Sequence, residues 1–154
     1  MEEWTTSTAD LASGTASLVG AQDQASHGSR SVRVALENPG GAAKAWMTRE
    51  LEVTPDQRYT VELAFDLRTT DATDDAWTLI VGVGPQAPAG PAALNYQGDT
   101  GAGAPAGGWA EKSATLTAQA DDEGRLHLTL GVWGTTSGSR TYWIDNVRVV
   151  LTRA

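Results

Sequence analysis

Apolar and polar residues alternate one by one along much of the chain, and the three-to-four-residue spacing of an amphipathic helix does not recur. In Tyr59-Thr-Val-Glu-Leu-Ala-Phe-Asp-Leu67 the side chains of Tyr59, Val61, Leu63, Phe65 and Leu67 point one way, and those of Thr60, Glu62, Ala64 and Asp66 the other. That is the pattern of a strand with one face in a core. The same period marks Ser31 to Leu36, Trp77 to Val83 and Arg125 to Val132, and more weakly Ala114 to Ala118. Further strands are expected near Thr15 to Val19, over Ala45 to Val53 and over Thr141 to Leu151. Their content of Val, Thr and aromatics suits a pleated, half-buried surface.

Turn chemistry separates these runs: Asn38-Pro-Gly-Gly41, Pro55-Asp56, Asp71 to Asp75, Asp121-Asp-Glu-Gly124 and Thr136-Ser-Gly-Ser139. About eight antiparallel strands joined in this way, with no helix, predict an all-β fold, a β-sandwich of jelly-roll type. Its length, 154 residues, is that of a single domain, 1–154. One stretch departs from the pattern. Residues 85–108 are dominated by Ala, Gly and Pro, with Leu94 and Tyr96 as their large side chains. A loop this long inside a compact domain is expected to be functional or disordered.

Composition narrows the chemistry. With no cysteine, disulfides, Cys-ligated zinc, iron–sulfur clusters and a cysteine nucleophile are excluded. A formal charge of −8 without any Lys/Arg run argues against nucleic acid and against an anionic membrane surface as partners. No window approaches the ~20 apolar residues of a membrane span. The start, MEEWTTSTAD, lacks the features of a signal peptide, so an extracellular location is expected only as part of an exported parent protein. Neither histidine sits in a catalytic or metal-binding context, and no G-x-S-x-G elbow is present.

Four stretches, in order, carry a resemblance: Ala25-Ser-His-Gly-Ser-Arg-Ser-Val-Arg-Val34, Leu51-Glu-Val-Thr-Pro-Asp-Gln-Arg-Tyr-Thr-Val61, Gly108-Trp-Ala-Glu-Lys-Ser-Ala-Thr115 and Tyr142-Trp-Ile-Asp-Asn-Val147. Together they resemble the jelly-roll, galactose-binding-domain-like carbohydrate-binding modules attached to bacterial glycanases, of the type that binds xylan or β-glucan. Two departures stand out. The opening strand of that group is missing, displaced or replaced here, and its turn glycine after Pro55 is Asp56, which a type I turn accepts. The resemblance implies a structural calcium held by Asp145, by the loop around Ser26 and by an N-terminal carboxylate, Glu2 or Glu3. Calcium needs six to eight oxygen ligands, so Asp145 alone defines no site. The alternative is that Asp145 accepts backbone hydrogen bonds at a bend.

Alternation also sorts the aromatic residues. Trp77 and Trp109 begin apolar strand faces and are expected in the core. Trp46 falls opposite Met47, Leu51 and Val53, on the side of Thr48 and Glu50. Trp133 shares its non-core face with His127, Thr129 and Arg125. A flat ring beside imidazole, hydroxyl and guanidinium groups is suited to a pyranose, whose body is apolar and whose edge is hydroxylated. Tyr96, flanked by amides in the long loop, is either a further contact or the residue that packs the loop onto the sheet. The expected function is a non-catalytic, monomeric module that binds a neutral polysaccharide on a concave sheet face through Trp46, Trp133, His127, Tyr96 and Arg125, tethered to a glycoside hydrolase. The competing expectation is a structural or adhesion sandwich of a larger surface or phage-like assembly.

Overall fold

In a computed structural model the chain is described over residues 3–70, 77–96 and 107–154. Nine strands form two antiparallel sheets among these residues. One sheet has the order β1 (Thr5–Ala9), β4 (Lys44–Glu52), β8 (Arg125–Gly134), β6 (Trp77–Gly84). The other has the order β2 (Thr15–Ala21), β3 (Ser31–Asn38), β9 (Gly138–Arg153), β5 (Arg58–Thr69), β7 (Trp109–Gln119). All the expected strands are present, and β1 is added to them. Its sequence, TTSTA, has almost no apolar signal because only its edge contact with β4 holds it in the sheet. The Asp71 to Asp75 turn lies outside the described residues. No helix among them is long and apolar enough to cross a membrane.

The two inner faces meet in one apolar core. Met47, Leu79, Val81, Leu128, Leu130 and Val132 come from the four-stranded sheet, and Val34, Leu36, Leu63, Phe65, Leu67, Tyr142 and Ile144 from the five-stranded one. In β5 the odd positions from Tyr59 to Leu67 are buried, following the sequence period. Trp77 is fully buried, with its ring 5.4 Å from that of Tyr142 in an edge-on contact. Trp109 does not join it. It pairs with Arg68, whose neighbour Leu67 is in the core, so Trp109 stands half-buried on the outer face. The inward positions of β7 are instead Ala110, Lys112, Ala114 and Leu116.

One end of the sandwich is tied by the buried Asn38. Its amide donates to the carbonyls of Gly134 and Thr136, both at 2.8 Å, and its carbonyl accepts from the N–H groups of Ala42 and Ala43. This side chain fixes the β3–β4 turn against the end of β8.

Candidate functional site

Because Met47, Leu128 and Leu130 face inward, the alternate residues of β4 and β8 stand on the outer face of the four-stranded sheet. The register across β4, β8 and β6 gives rows of Lys44, Trp133 and Thr78; of Trp46, Gly131 and Ile80; of Thr48, Thr129 and Gly82; and of Glu50, His127 and Gly84. Glycine is required at 131. A Cβ there would stand 2.2 Å from the Ala45 carbonyl oxygen and 2.6 Å from Trp46 Cα.

The chain leaving β6 folds back over this face. A 3-10 turn, Pro91–Ala93, delivers Leu94 into a small apolar cluster with Trp46 and Ile80. Val81 N–H donates to the Asn95 carbonyl, and Tyr96 bridges to Ile80. The Tyr96 ring lies 4.9 Å from the Trp133 ring at a tilt of 52°, and Lys44 Nζ sits 5.0 Å from the Trp133 centroid, on the same row. The Nε1 donor of Trp133 is buried and has no hydrogen-bond partner among the described residues.

Beside this cluster is a cavity of about 220 Å³ whose lining includes Gly82, Gly84, Gln86, Asn95, His127 and Thr129. The two glycines leave its floor open, and the amides, hydroxyl and imidazole supply donors and acceptors on its walls. His127 is mostly buried, with Nε2 3.8 Å from Glu50 Oε2.

The five expected contact residues therefore divide. Tyr96, Trp133 and His127 share the face and border its open part, with Tyr96 37% exposed. Trp46 lies on the expected face but is only 3% exposed beneath Leu94, so it supports the face and offers no ring to a ligand. Arg125 lies at the far end of β8, held by Asp121 at 2.9 Å and Glu123 at 2.5 Å. Hydrogen bonding to Asp121 raises the Arg125 pKa further. Asn95 and Gln86 were not singled out from the sequence; the amide-rich setting of Tyr96 was the available signal for Asn95. Gln97 and Asp99 of that stretch lie outside the described residues.

Asp145 belongs to a different place. Its Oδ2 accepts from the N–H groups of Ser26 at 2.8 Å and His27 at 2.9 Å, and its Oδ1 from Asn146 N–H at 2.7 Å. The Ser26 hydroxyl lies between two carboxylates, 3.2 Å from Asp145 and 2.6 Å from Asp66, and its one proton serves the nearer. Asn146, with φ 51°, lies in a bulge where Asn146 and Val147 together oppose the single residue Phe65, between the Asp66–Asp145 and Ala64–Arg148 pairs. Trp143 sits three residues before Asn146 on the outer face, 7% exposed, with Nε1 donating to Asp23 and the Arg68 guanidinium 5.9 Å from its ring. The loop between β2 and β3 is thus pinned over Trp143 and Asp145.

This donor set does not fit a resident calcium. Asp145 Oδ2 is faced by the positive ends of the Ser26 and His27 N–H dipoles, and Glu3 is paired with Arg49 at 2.5 Å. Among the described residues no three His, Asp or Glu side chains are grouped to hold a metal. Glu2 lies outside the described residues.

No protein-family profile matches the chain. No curated protein matches it by sequence. Solved structures do match in fold. A family 11 carbohydrate-binding module from Clostridium thermocellum, in complex with a β-1,3-1,4-mixed-linked tetrasaccharide, superposes with a TM-score of 0.56 at 8% identity over 97% of this chain and 89% of that one. A cellulose-induced protein gives 0.55 at 17% identity, over 99% and 93%. The tailspike protein 4 enzymatically active domain of bacteriophage CBA120 gives 0.56 at 16% identity, over 98% of this chain and 20% of that one. The chain therefore spans about one-fifth of the tailspike structure. Two antiparallel sheets with this strand order and these likenesses make the chain an all-β jelly-roll sandwich with the fold of carbohydrate-binding modules.

Proposed function

We propose that the chain is a non-catalytic module that binds a neutral polysaccharide, of β-glucan or xylan type, on the outer face of the four-stranded sheet. The observation that carries this reading is the joining of two features on one face: the partly exposed Tyr96 ring set at a tilt against Trp133, and the cavity beside it whose wall includes the polar groups of His127, Thr129, Asn95 and Gln86. Tyr96 offers a surface for the apolar side of a sugar ring, and the cavity wall offers partners for its hydroxyls.

The size of the effect follows. One ring stack that hides ~90 Å² of apolar surface at ~25 cal/mol/Å² contributes about 2 kcal/mol before association costs. Affinity for a single site is then expected near millimolar. Weak binding of this kind serves a module whose partner enzyme is tethered, where effective concentration supplies the remainder. The C. thermocellum xylanase 10B structure with xylohexaose, which joins a carbohydrate-binding module to a GH10 module, supports tethering to a glycoside hydrolase.

The tailspike likeness favours a second reading, in which the same sandwich is a structural part of a larger assembly. Affinity electrophoresis of the parent chain in gels containing β-glucan, xylan or galactan separates the two. Retardation by at least one glycan, reduced by Tyr96→Ala, supports the binding module. Unretarded migration in every gel supports the structural reading.

A further inference from the structure

β3 pairs with β9 only from Gly138 to Ile144, and past the bulge at Asn146 that side of β9 has no strand beside it among the described residues. The notch this leaves opens inward between the two sheets. A cleft of about 610 Å³ lies there, against about 220 Å³ beside Tyr96. Its size falls in the range of roughly 300–1,000 Å³ usual for small-molecule sites.

Met47 and Ile144, both buried, form an apolar floor, and the half-buried Trp4 supplies an aromatic wall on the side of the four-stranded sheet. Gln22 and Arg30 border the cleft where β2 ends and β3 begins. These walls are fixed. Glu3 is paired with Arg49 and Thr5 with Thr48, so Trp4 is held from both sides. The loop between β2 and β3 is held by Asp145, which accepts from Ser26 and His27, and by Asp23, which accepts from Trp143. The Ser31 hydroxyl adds a bond to the Gln24 carbonyl at 2.6 Å. Anchoring by Asp145 thus sets the shape of the cleft as well as the place of the loop.

The polar groups around the cleft are uncommitted. Among the described residues neither the Trp4 indole N–H, the Gln22 amide nor the Arg30 guanidinium has a hydrogen-bond or ion-pair partner. Acidic side chains outnumber basic ones by nineteen to eleven, yet Arg30 meets no carboxylate. Asp145 also borders the cleft, but its oxygens already accept from the backbone N–H groups of Ser26, His27 and Asn146.

We propose that this cleft is a binding site for a uronic acid, a pyranose that carries a carboxylate. The sugar body lies on the Trp4 ring, the carboxylate takes paired N–H donors from Arg30, and hydroxyls bond to the Gln22 amide. The site is separate from the Tyr96 face and does not rest on the reading of that face.

Titration of the whole chain with D-glucuronate, D-glucose or acetate, followed by the indole N–H signals in proton–nitrogen correlation spectra, tests this. The Trp4 signal is the one missing from Trp4→Phe. It is expected to move saturably with glucuronate in the millimolar range, and far less with glucose, which lacks the charge, or with acetate, which lacks the ring. Arg30→Gln, folded by circular dichroism, should raise the half-saturation roughly tenfold, and Tyr96→Ala should leave it unchanged. A Trp4 signal that stays in place up to roughly 50 mM glucuronate, or moves equally with glucose or acetate, overturns the proposal. So does an unchanged half-saturation in Arg30→Gln, or a response lost in Tyr96→Ala.

Discussion

Asp56 occupies a left-handed backbone conformation, φ 56°, at the turn between β4 and β5. A type I turn does not require positive φ, so this turn is of another kind, and the glycine of the resembling modules fits it better. Asp tolerates that region at a cost which Gly avoids. Asp56→Gly is therefore expected to stabilise the fold by about 0.5–1 kcal/mol, read from the urea midpoint. Asp145 is the opposite case, a residue matched to its surroundings. Asp145→Ala leaves three backbone N–H groups without their acceptor and is expected to cost about 2–3 kcal/mol. We propose that this anchoring requires no calcium, so the melting temperature of the parent should be the same in chelator and in calcium. A rise with calcium would establish the metal, because a ligand bound only to the folded state stabilises it.

At the level of elements, turns that cross from one sheet to the other are held by single polar side chains. Replacing Asn38 by Leu strands two carbonyls and two N–H groups in a buried place and should cost about 3 kcal/mol by urea denaturation. At the turn from β7 to β8, which crosses between the sheets, burial by itself raises the Asp121 pKa, but hydrogen bonds from Arg125 backbone and side chain and from Glu123 N–H together bring it below the ordinary carboxylate value. A folded-state pKa that is depressed gives stability which is full above the ordinary carboxylate value and lost as pH falls through the folded one. The parent should lose stability below about pH 4 more steeply than Asp121→Asn, measured by melting across an acid series. The strands were legible because burial of one face imposes period two, as in β5 and β8. What period two does not reveal is cover from outside. Trp46 was placed on the correct face, yet its burial depends on Leu94, delivered by a loop with no periodic signal. Trp109 begins a strand whose own sequence leaves its core face undefined, and only the pairing with Arg68 sets which side Trp109 takes.

For the whole molecule, a charge of −8 and the absence of basic runs favour neutral partners over phosphate-rich ones. Among the described residues a loop covers the Trp46 end of the outer face of the four-stranded sheet, while Tyr96 on that face stays 37% exposed. Calorimetric titration of the glycan that retards the parent, into parent, Tyr96→Ala and His127→Ala proteins of matched melting behaviour, tests the central claim most directly. The account predicts binding near millimolar for the parent and a loss of about tenfold or more in each variant, equivalent to at least ~1.4 kcal/mol. Equal affinity in all three proteins would contradict it, because the sugar would then be held elsewhere than on this face.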